Sequence, residues 1–200
     1  MSLRFALSGI PRDLKKADTP RGIAHVRELG LDRMEMAWVY QVPKNAEKAM
    51  LSKIAGDDHG VALTVHAPYY INLNAKEPEK LVASRERILA CARMAQIAGA
   101  THIAIHSGFY MGDDPAVVTE RARVILREIE DELTAEGNVV MLCPELMGRT
   151  TQLGTVEEVI ALSQGSKRIR PCIDFSHLHA RTLGVWGGYE GFIACSVTLR

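Results

Sequence analysis

Short apolar runs alternate along the chain with longer segments in which apolar residues recur every three or four positions. The apolar runs lie at 3–8, 34–39, 62–65, 101–106, 138–143 and 170–174, and they predict six β-strands. The longer segments lie at 19–29, 43–54, 77–98, 113–133 and 155–164, and they predict amphipathic helices. The pattern therefore predicts a repeated strand–helix unit along most of the chain.

Capping residues mark the ends of several predicted helices. Thr19, followed by a proline, predicts the start of the first helix, and Gly56 predicts the end of the second. Met50 and Ile54 are predicted to lie on the apolar face of that second helix. Thr155, with a glutamate three positions later, has the pattern of a capping box and predicts the start of the fifth helix.

The predicted strands are apolar without alternation, which is typical of a parallel sheet covered on both faces. Two architectures fit this pattern, a doubly wound open sheet and a (β/α)₈ barrel. A doubly wound nucleotide fold usually has a glycine-rich loop after its first strand, whereas this chain has only Gly9 there. We therefore predict an α/β fold of the (β/α)₈ TIM-barrel type, incomplete at about six βα units, in a single domain spanning residues 1–200.

Charge and cysteine content argue against several classes of protein. The 24 Lys and Arg residues balance the 24 Asp and Glu residues, so no global positive field indicates a nucleic-acid partner. The cysteines are far apart and form no CxxC motif, which indicates a reducing compartment without disulfides. No apolar run approaches the roughly 20 residues that span a bilayer. We therefore expect a soluble, cytoplasmic protein without a membrane partner.

Chemically capable side chains follow four consecutive predicted strands. They are His66, His106, Glu145, and the pair Asp174 and His177. Chemistry in barrels takes place at the carboxyl ends of the strands, so these side chains are expected to converge. Two histidines and a carboxylate suit zinc or a similar divalent ion, and a carboxylate can bridge two ions. One histidine at a strand end is more often an ordinary loop residue, but four such ends together favour a metal site.

Other candidate residues carry less weight. His25, His59 and His102 fall in a helix, in a turn and at the start of a strand, so we expect them to be structural or exposed. Tyr69 could stack on a base or sugar, or simply pack within its loop. Glu35, near the end of the second predicted strand, could face the site.

Four segments resemble motifs of the endonuclease IV family, also called AP endonuclease family 2, in the xylose isomerase-like TIM barrel superfamily. They are HAPYYINL at 66–73, IHSG at 105–108, PELMG with QLG at 144–154, and CIDFSH at 172–177. The motifs have the order and spacing of the family, with Ser107 in the place of a proline. Members of this family are zinc-dependent endonucleases that act at apurinic/apyrimidinic sites in DNA.

The resemblance implies a site for up to three zinc ions, and manganese is an alternative metal. His66, His106 and Glu145 would bind one ion, Glu145 would bridge to a second that Asp174 also holds, and His177 would bind a third. Glu145 would be the catalytic residue, and Tyr69 would enter the DNA near the lesion. The implied function is hydrolysis of the phosphodiester 5′ to an abasic site in damaged double-stranded DNA, as in base excision repair.

The resemblance does not extend to the C-terminal motifs of the family. No counterpart of the family's later ligands precedes Arg200, so we expect a chain that lacks strands seven and eight. The first zinc would then keep all its protein ligands, whereas the third would keep only His177. Open strand edges of such a barrel could be covered in a homodimer. Two alternatives remain, a sugar isomerase or epimerase of the same superfamily and a non-catalytic truncated member.

Overall fold

The computed structural model describes residues 4–16, 18–185, 188–191 and 193. Its strands are β1 (Ala6–Ser8), β2 (Arg33–Ala37), β3 (Ala62–His66), β4 (Ala100–Ile105) and β5 (Met141–Pro144). Its helices are α1 (Thr19–Glu28), α2 (Ala46–His59), α3 (Pro78–Ile97), α4 (Pro115–Ala135), α5 (Val156–Ser163) and α6 (Phe175–Arg181). The predicted alternation of strands and helices is confirmed.

The strands pair in parallel and in chain order, which gives one sheet with the order β1-β2-β3-β4-β5. A parallel sheet in chain order, with a helix after each strand, is the arrangement of a TIM barrel. The predicted fold class is therefore confirmed. Because all strands run in the same direction, their carboxyl ends meet at one edge of the sheet, which is where the candidate site residues lie.

The segment predicted as the sixth strand pairs with the β5 region only through isolated parallel bridges, which involve Ile169 and Cys172. The backbone N–H of Cys172 donates to the carbonyl of Pro144 at 2.9 Å, and that of Arg170 donates to Leu142 at 3.0 Å. Between these two bonds, Pro144 has no N–H to donate. One rung of the ladder is therefore missing, and this is why the segment lies beside β5 without forming a regular strand.

Burial alternates along β2 and β3, which corrects the expectation of two covered faces for these two strands, whereas β4 and β5 bury consecutive residues as expected. In β2 and β3 the residues Met34, Met36, Leu63 and Val65 are buried in the core against the helices. Their neighbours along each strand point to the opposite face and are only partly buried, among them His66. This second face forms the inner wall that leads to the candidate site.

The start of α1 lies one residue before the predicted cap. Asp18, not Thr19, is the N-cap, and its Oδ1 accepts a hydrogen bond from the Arg21 N–H at 3.0 Å. The predicted capping box of α5 is confirmed. Thr155 Oγ1 accepts from the Glu158 N–H at 3.2 Å, and Glu158 Oε2 accepts from the Thr155 N–H at 2.8 Å.

Helix α2 packs on a different face, and ends later, than the sequence predicts. Met50 and Ile54 are 44% and 48% exposed, so the prediction that they lie on the buried face is wrong. Gly56 lies inside the helix, which ends instead at Gly60 in the left-handed conformation with φ 63°. The face that packs on the protein consists of small residues, namely Ala49, Ser52, Ala55 and Gly56. These small side chains let the helix backbone approach β3 closely.

The close approach of α2 to β3 predicts opposite effects for two helical glycines. Replacing glycine by alanine within a helix usually stabilises a protein by about 1 kcal/mol. At Gly56, however, a Cβ would lie 3.0 Å from the carbonyl oxygen of Val61, so we expect Gly56→Ala to lower the free energy of unfolding. At Gly22 the nearest atoms belong to the side chain of Ile10, at 3.2 Å, and this side chain is exposed and can shift, so Gly22→Ala is expected to raise it. Urea denaturation of both variants checks the pair, and a gain at Gly56 equal to that at Gly22 would contradict it.

Three of the four cysteines, Cys91, Cys143 and Cys172, are free thiols. Cys195 lies outside the described residues. So do Leu3 of the predicted first strand and most of the segment 187–199. None of the helices in the described part of the chain combines the length and the apolar composition needed to cross a bilayer.

Candidate metal centre

Two histidines and a glutamate meet at the carboxyl ends of three neighbouring strands. His66 is the last residue of β3, His106 directly follows β4, and Glu145 directly follows β5. Glu145 Oε2 lies 3.1 Å from His66 Nε2 and 3.4 Å from His106 Nε2. Glu145 is only 6% exposed. Residues separated by about eighty positions in sequence therefore form one compact cluster, because consecutive parallel strands place their ends side by side.

The geometry of this cluster fits a zinc ion. Zinc bonds of about 2.0–2.1 Å in a tetrahedral shell separate two ligand atoms by about 3.3 Å. The distances of 3.1 and 3.4 Å from Glu145 Oε2 to the two imidazole nitrogens match this separation. Candidate ligand atoms of all three residues lie within 4.8 Å of one another.

The hydrogen bond of His66 to its own loop supports the same interpretation. His66 Nδ1 lies 2.8 Å from the carbonyl oxygen of Ala67, which requires a proton on Nδ1. In the neutral ring Nε2 then carries a lone pair, and this lone pair faces the Glu145 carboxylate. Two acceptors at that distance repel each other unless a cation, either a proton or a metal ion, lies between them. Fixing of the far nitrogen by a carbonyl is also the usual arrangement of a metal-binding histidine.

Electrostatics keep Glu145 charged. Burial by itself would raise the pKa of Glu145, but hydrogen bonds with His106 and His66 outweigh it and lower the pKa to about 2. Burial by itself would lower the pKa of His66, but its contacts with Glu145 and the Ala67 carbonyl raise it above its ordinary value. The cluster thus combines an ionised carboxylate with imidazole nitrogens, a set of donors that suits a divalent cation.

A second group, formed by Glu145, Asp174 and His177, adjoins the first. His177 Nδ1 lies 3.4 Å from Glu145 Oε1 and 3.7 Å from Asp174 Oδ2. The same nitrogen also lies 2.8 Å from the carbonyl of Leu146, a contact that requires a proton on Nδ1. The nitrogen that faces the carboxylates is therefore a donor here, and this group fits a metal ion less well than the first one.

The short helix α6, which the sequence analysis missed, positions this second group. Asp174 is its N-cap, and Asp174 Oδ1 accepts a hydrogen bond from the His177 N–H at 2.9 Å. An aspartate three residues before that N–H is a helix-start signal that was present in the sequence. Asp174 thus has a structural role in addition to any role as a ligand.

The candidate ligands line a cavity of about 510 Å³ together with Ser8 and Glu35. Ser8 Oγ donates to Glu35 Oε1 at 2.7 Å, a contact between β1 and β2 that the sequence analysis did not anticipate. Glu35 faces the cavity, as its position near the end of a strand suggested. Cys172 also lines the cavity, and burial followed by the charge of Glu145 raises the pKa of its thiol, which therefore stays protonated.

Tyr69 forms an aromatic wall on the same cavity. Its ring stacks on His106, with 4.9 Å between ring centroids and 21° between planes, and it makes an edge contact with His66 at 5.1 Å. Tyr69 is nevertheless 46% exposed, and its neighbour Tyr70, at 61% exposure, does not line this cavity. Stacking on His106 therefore fixes the orientation of a ring that remains available to a ligand.

Glycines at two positions allow the backbone to pass close to the site. Gly108 has φ +121°, and a Cβ there would lie 2.3 Å from Asn72 Oδ1. Gly154 has φ +142°, and a Cβ there would lie 2.8 Å from the carbonyl oxygen of Glu145. Beside Gly108, the buried Ser107 hydroxyl has no hydrogen-bond partner within the described residues. Both glycines are needed where the loops after β4 and β5 cross their neighbours.

Arg181 of α6 ties the loop after β5 together, a contact that no sequence signal predicted. Its Nη1 donates to the carbonyls of Met147, Arg149 and Gln152 at 3.1, 2.7 and 3.1 Å. Its Nη2 lies 3.1 Å from the hydroxyl of Tyr110. One guanidinium group thereby holds the loop that follows Glu145 through hydrogen bonds to three of its carbonyl groups.

The remaining histidines of the prediction lie away from the site. His25 on α1 contacts Asp13 and Glu28, each at 2.7 Å. His59 is the last residue of α2 and is not in a turn, as the sequence suggested. His102 is the third residue of β4, where burial and then the charge of Arg33 lower its pKa. None of them lines the cavity that contains Glu145.

Two proteins are similar in sequence to most of this chain. Protein MJ0133 of Methanocaldococcus jannaschii is 36% identical over 190 residues, which are 95% of this chain and 67% of that protein. A probable endonuclease 4 of Geobacillus kaustophilus is 25% identical over 164 residues, which are 76% of this chain. The chain spans 54% of the length of the Geobacillus protein, so it corresponds to only part of that relative.

Solved structures show the same fold at low sequence identity. Endonuclease IV from Thermus thermophilus superposes with a TM-score of 0.73 at 19% identity, covering 98% of this chain and 71% of that one. D-psicose 3-epimerase from Clostridium cellulolyticum superposes with a TM-score of 0.74 at 17% identity, with the same coverage. The sequence profile of the xylose isomerase-like TIM barrel family matches residues 23–191. With this match over most of its length, the resemblance found in the motifs is confirmed, and the chain belongs to the xylose isomerase-like TIM barrel family.

Proposed function

We propose that this chain is a zinc-dependent phosphodiesterase that cleaves DNA 5′ to abasic sites. The observation that carries the proposal is the cluster of His66, His106 and Glu145, whose distances fit one zinc ion, beneath the exposed ring of Tyr69. The endonuclease 4 relatives and the motifs at 66–73 and 172–177 support a DNA substrate. Manganese could occupy the same ligands.

Each residue has a role in this proposal. A bound zinc ion would polarise a phosphoryl oxygen and stabilise the negative charge that develops on the phosphate. Glu145 would hold that ion with a carboxylate that stays ionised, and its second oxygen faces the group formed with Asp174 and His177. Tyr69 would pack against the sugar or base beside the lesion, because its ring is held in place by His106.

The test of the proposal is cleavage of a duplex that carries a single abasic site. Zinc-loaded protein is expected to cut the lesion strand once, immediately 5′ to the site, and to leave the same duplex without the lesion intact. Removing the metal with a chelator should abolish cleavage, and adding zinc should restore it. Zinc-loaded, folded protein that leaves the abasic duplex uncut would contradict the proposal.

A sugar isomerase or epimerase is the second candidate, and Glu35 favours it. Glu35 lies in the same cavity as Glu145, so one ion and two carboxylates would face a bound sugar. Two carboxylates can remove and return a proton at a carbon next to a carbonyl group. The readout is incorporation of solvent deuterium into a ketose by the metal-loaded protein, and the absence of incorporation across ketoses would argue against this candidate.

A further inference from the structure

A second cavity, of about 450 Å³, adjoins the metal cavity and shares three of its walls. Tyr69, His106 and His177 line both cavities. A ligand that reaches the candidate ligands of the metal ion could therefore extend past the ring of Tyr69 into the second space. The remaining walls of this space come from the loop after β5, including Arg149 and Gln152, and from Ala180 of α6.

The two cavities carry opposite charge. Glu35, Glu145 and Asp174 line the metal cavity, and no lysine or arginine is among its lining residues. The second cavity has Arg149 as its only Lys, Arg, Asp or Glu residue. Within the described part of the chain, no carboxylate pairs with the Arg149 guanidinium, and the residue is exposed. An unpaired cation thus lies beside an acidic metal cavity.

The backbone under Arg149 is held firmly close to the site. A Cβ at Gly148 would lie 3.4 Å from Cδ2 of His177, so the loop passes directly over that ring. Arg149 follows one residue later, a step of about 3.8 Å between Cα atoms. Its carbonyl accepts from Arg181 Nη1 at 2.7 Å and from the Gln152 N–H at 3.0 Å. The side chain is therefore free while its attachment point is fixed.

We propose that Arg149 is a substrate-recognition residue that binds a phosphate group next to the group reacting at the metal. A guanidinium on a fixed backbone suits a phosphate oxygen pair, and nothing else charged in this cavity competes for it. The ligand chemistry is that of a phosphate ester, either the next phosphate along a DNA strand or the phosphate of a sugar. This inference rests on the proposed metal site and names the substrate group that the site accepts.

The experiment compares zinc-loaded wild-type protein with Arg149→Gln, Arg149→Lys and Arg4→Gln. Arg4 precedes β1 and is exposed, so its replacement removes the same charge at the opposite end of the sheet. Binding is measured at several salt concentrations to three probes. These are a duplex with one abasic-site analogue, a ketose 5-phosphate, and the corresponding unphosphorylated ketose. Melting temperatures establish that all variants are folded.

Arg149→Gln is expected to weaken binding of a phosphate probe on the order of tenfold, with binding of the neutral ketose unchanged. For the duplex, the slope of log affinity against log salt should fall in magnitude by about 1. Arg149→Lys should keep the slope and recover only part of the affinity, because a lysine cannot make a forked contact. An effect on the duplex identifies a nucleic-acid substrate, and an effect on the ketose 5-phosphate identifies a sugar phosphate.

Equal binding by Arg149→Gln and Arg4→Gln to both phosphate probes would overturn the inference, as would an equal loss for the neutral ketose. These outcomes are separate from failure of the proposed nuclease activity. Absence of DNA cleavage together with an Arg149-dependent ketose 5-phosphate complex would reject the nuclease and keep the recognition residue. The opposite result is also possible: the protein cleaves DNA, and Arg149→Gln changes neither the rate, nor the affinity, nor the salt dependence. That result would keep the nuclease and reject Arg149 as a recognition residue.

Discussion

Glu145→Gln is expected to lower the zinc affinity of this protein by more than roughly 100-fold. Glutamine has almost the same shape as glutamate but no charge, and the carboxylate of Glu145 is the only negative group of the His66, His106 and Glu145 set. The carboxylate also lies between the first and second groups of candidate ligands, so its loss should remove any bridging as well. DNA cleavage, where present, should fall with metal occupancy.

Competition with a chromophoric chelator measures this affinity, and thermal melting with and without zinc gives an independent readout. A ligand present at about 1,000 times its dissociation constant stabilises the folded state by about 4 kcal/mol, so zinc should raise the melting temperature of the wild type and not that of Glu145→Gln. Glu157→Gln, an exposed change on α5, is the matched control and should behave as the wild type. Zinc affinity retained in Glu145→Gln would remove this residue from the metal centre.

Gly108→Ala is expected to destabilise the protein by about 4 kcal/mol or more, near the upper end of effects of single substitutions. Its backbone has φ +121°, which alanine adopts only with strain. In addition, the new Cβ would lie 2.3 Å from Oδ1 and 2.8 Å from Cα of Asn72. Asn72 cannot move away freely, because its Oδ1 accepts from the backbone N–H groups of Asn74 and Phe109 at 3.0 and 3.2 Å.

Gly137→Ala separates the two causes of this effect. Gly137 has φ +73°, but a Cβ there would have no atom within 4 Å, so only backbone strain of about 1–2 kcal/mol is expected. Urea denaturation of both variants should therefore show a clearly larger loss at Gly108. Similar losses in the two variants would show that the contact with Asn72 is relieved by local movement.

The positions of His66, His106 and Glu145 could be predicted from the sequence because each directly follows an apolar run. In a parallel sheet, the end of such a run fixes which edge a side chain occupies, and pairing of consecutive strands brings these ends together. Tyr69 also lies next to this edge, but its role near a DNA lesion was suggested only by the resemblance to the endonuclease IV family. The prediction needed only the order of the strands and their direction.

The face of α2 could not be predicted from its apolar residues. Met50 and Ile54 are the largest apolar side chains there that share one face, and a hydrophobicity pattern places such residues inside. The structure instead buries Ala49, Ser52 and Gly56, because close contact of the helix with β3 leaves no room for larger side chains. The short distance between α2 and β3 determines which face of the helix is buried, and no local sequence pattern encodes that distance.

Contacts between distant loops were also beyond sequence reasoning. Arg181 reaches carbonyl groups on the loop after β5, and carbonyl acceptors leave no mark in an amino-acid sequence. The pair of Ser8 and Glu35 depends on the register between β1 and β2, which pairs these two residues directly. Both features depend on the assembled fold and not on any local sequence pattern.

The strict chain order of the strands has a consequence for folding. Each strand pairs with the next one along the chain, so the sheet can grow by successive addition of neighbouring units while the chain is being synthesised. His66 and His106 are brought together once β3 and β4 have paired, but Glu145 arrives only with β5. A metal ion that needs all three residues would therefore bind late, and its binding energy would hold β5 in place more than it would hold the units that folded before it.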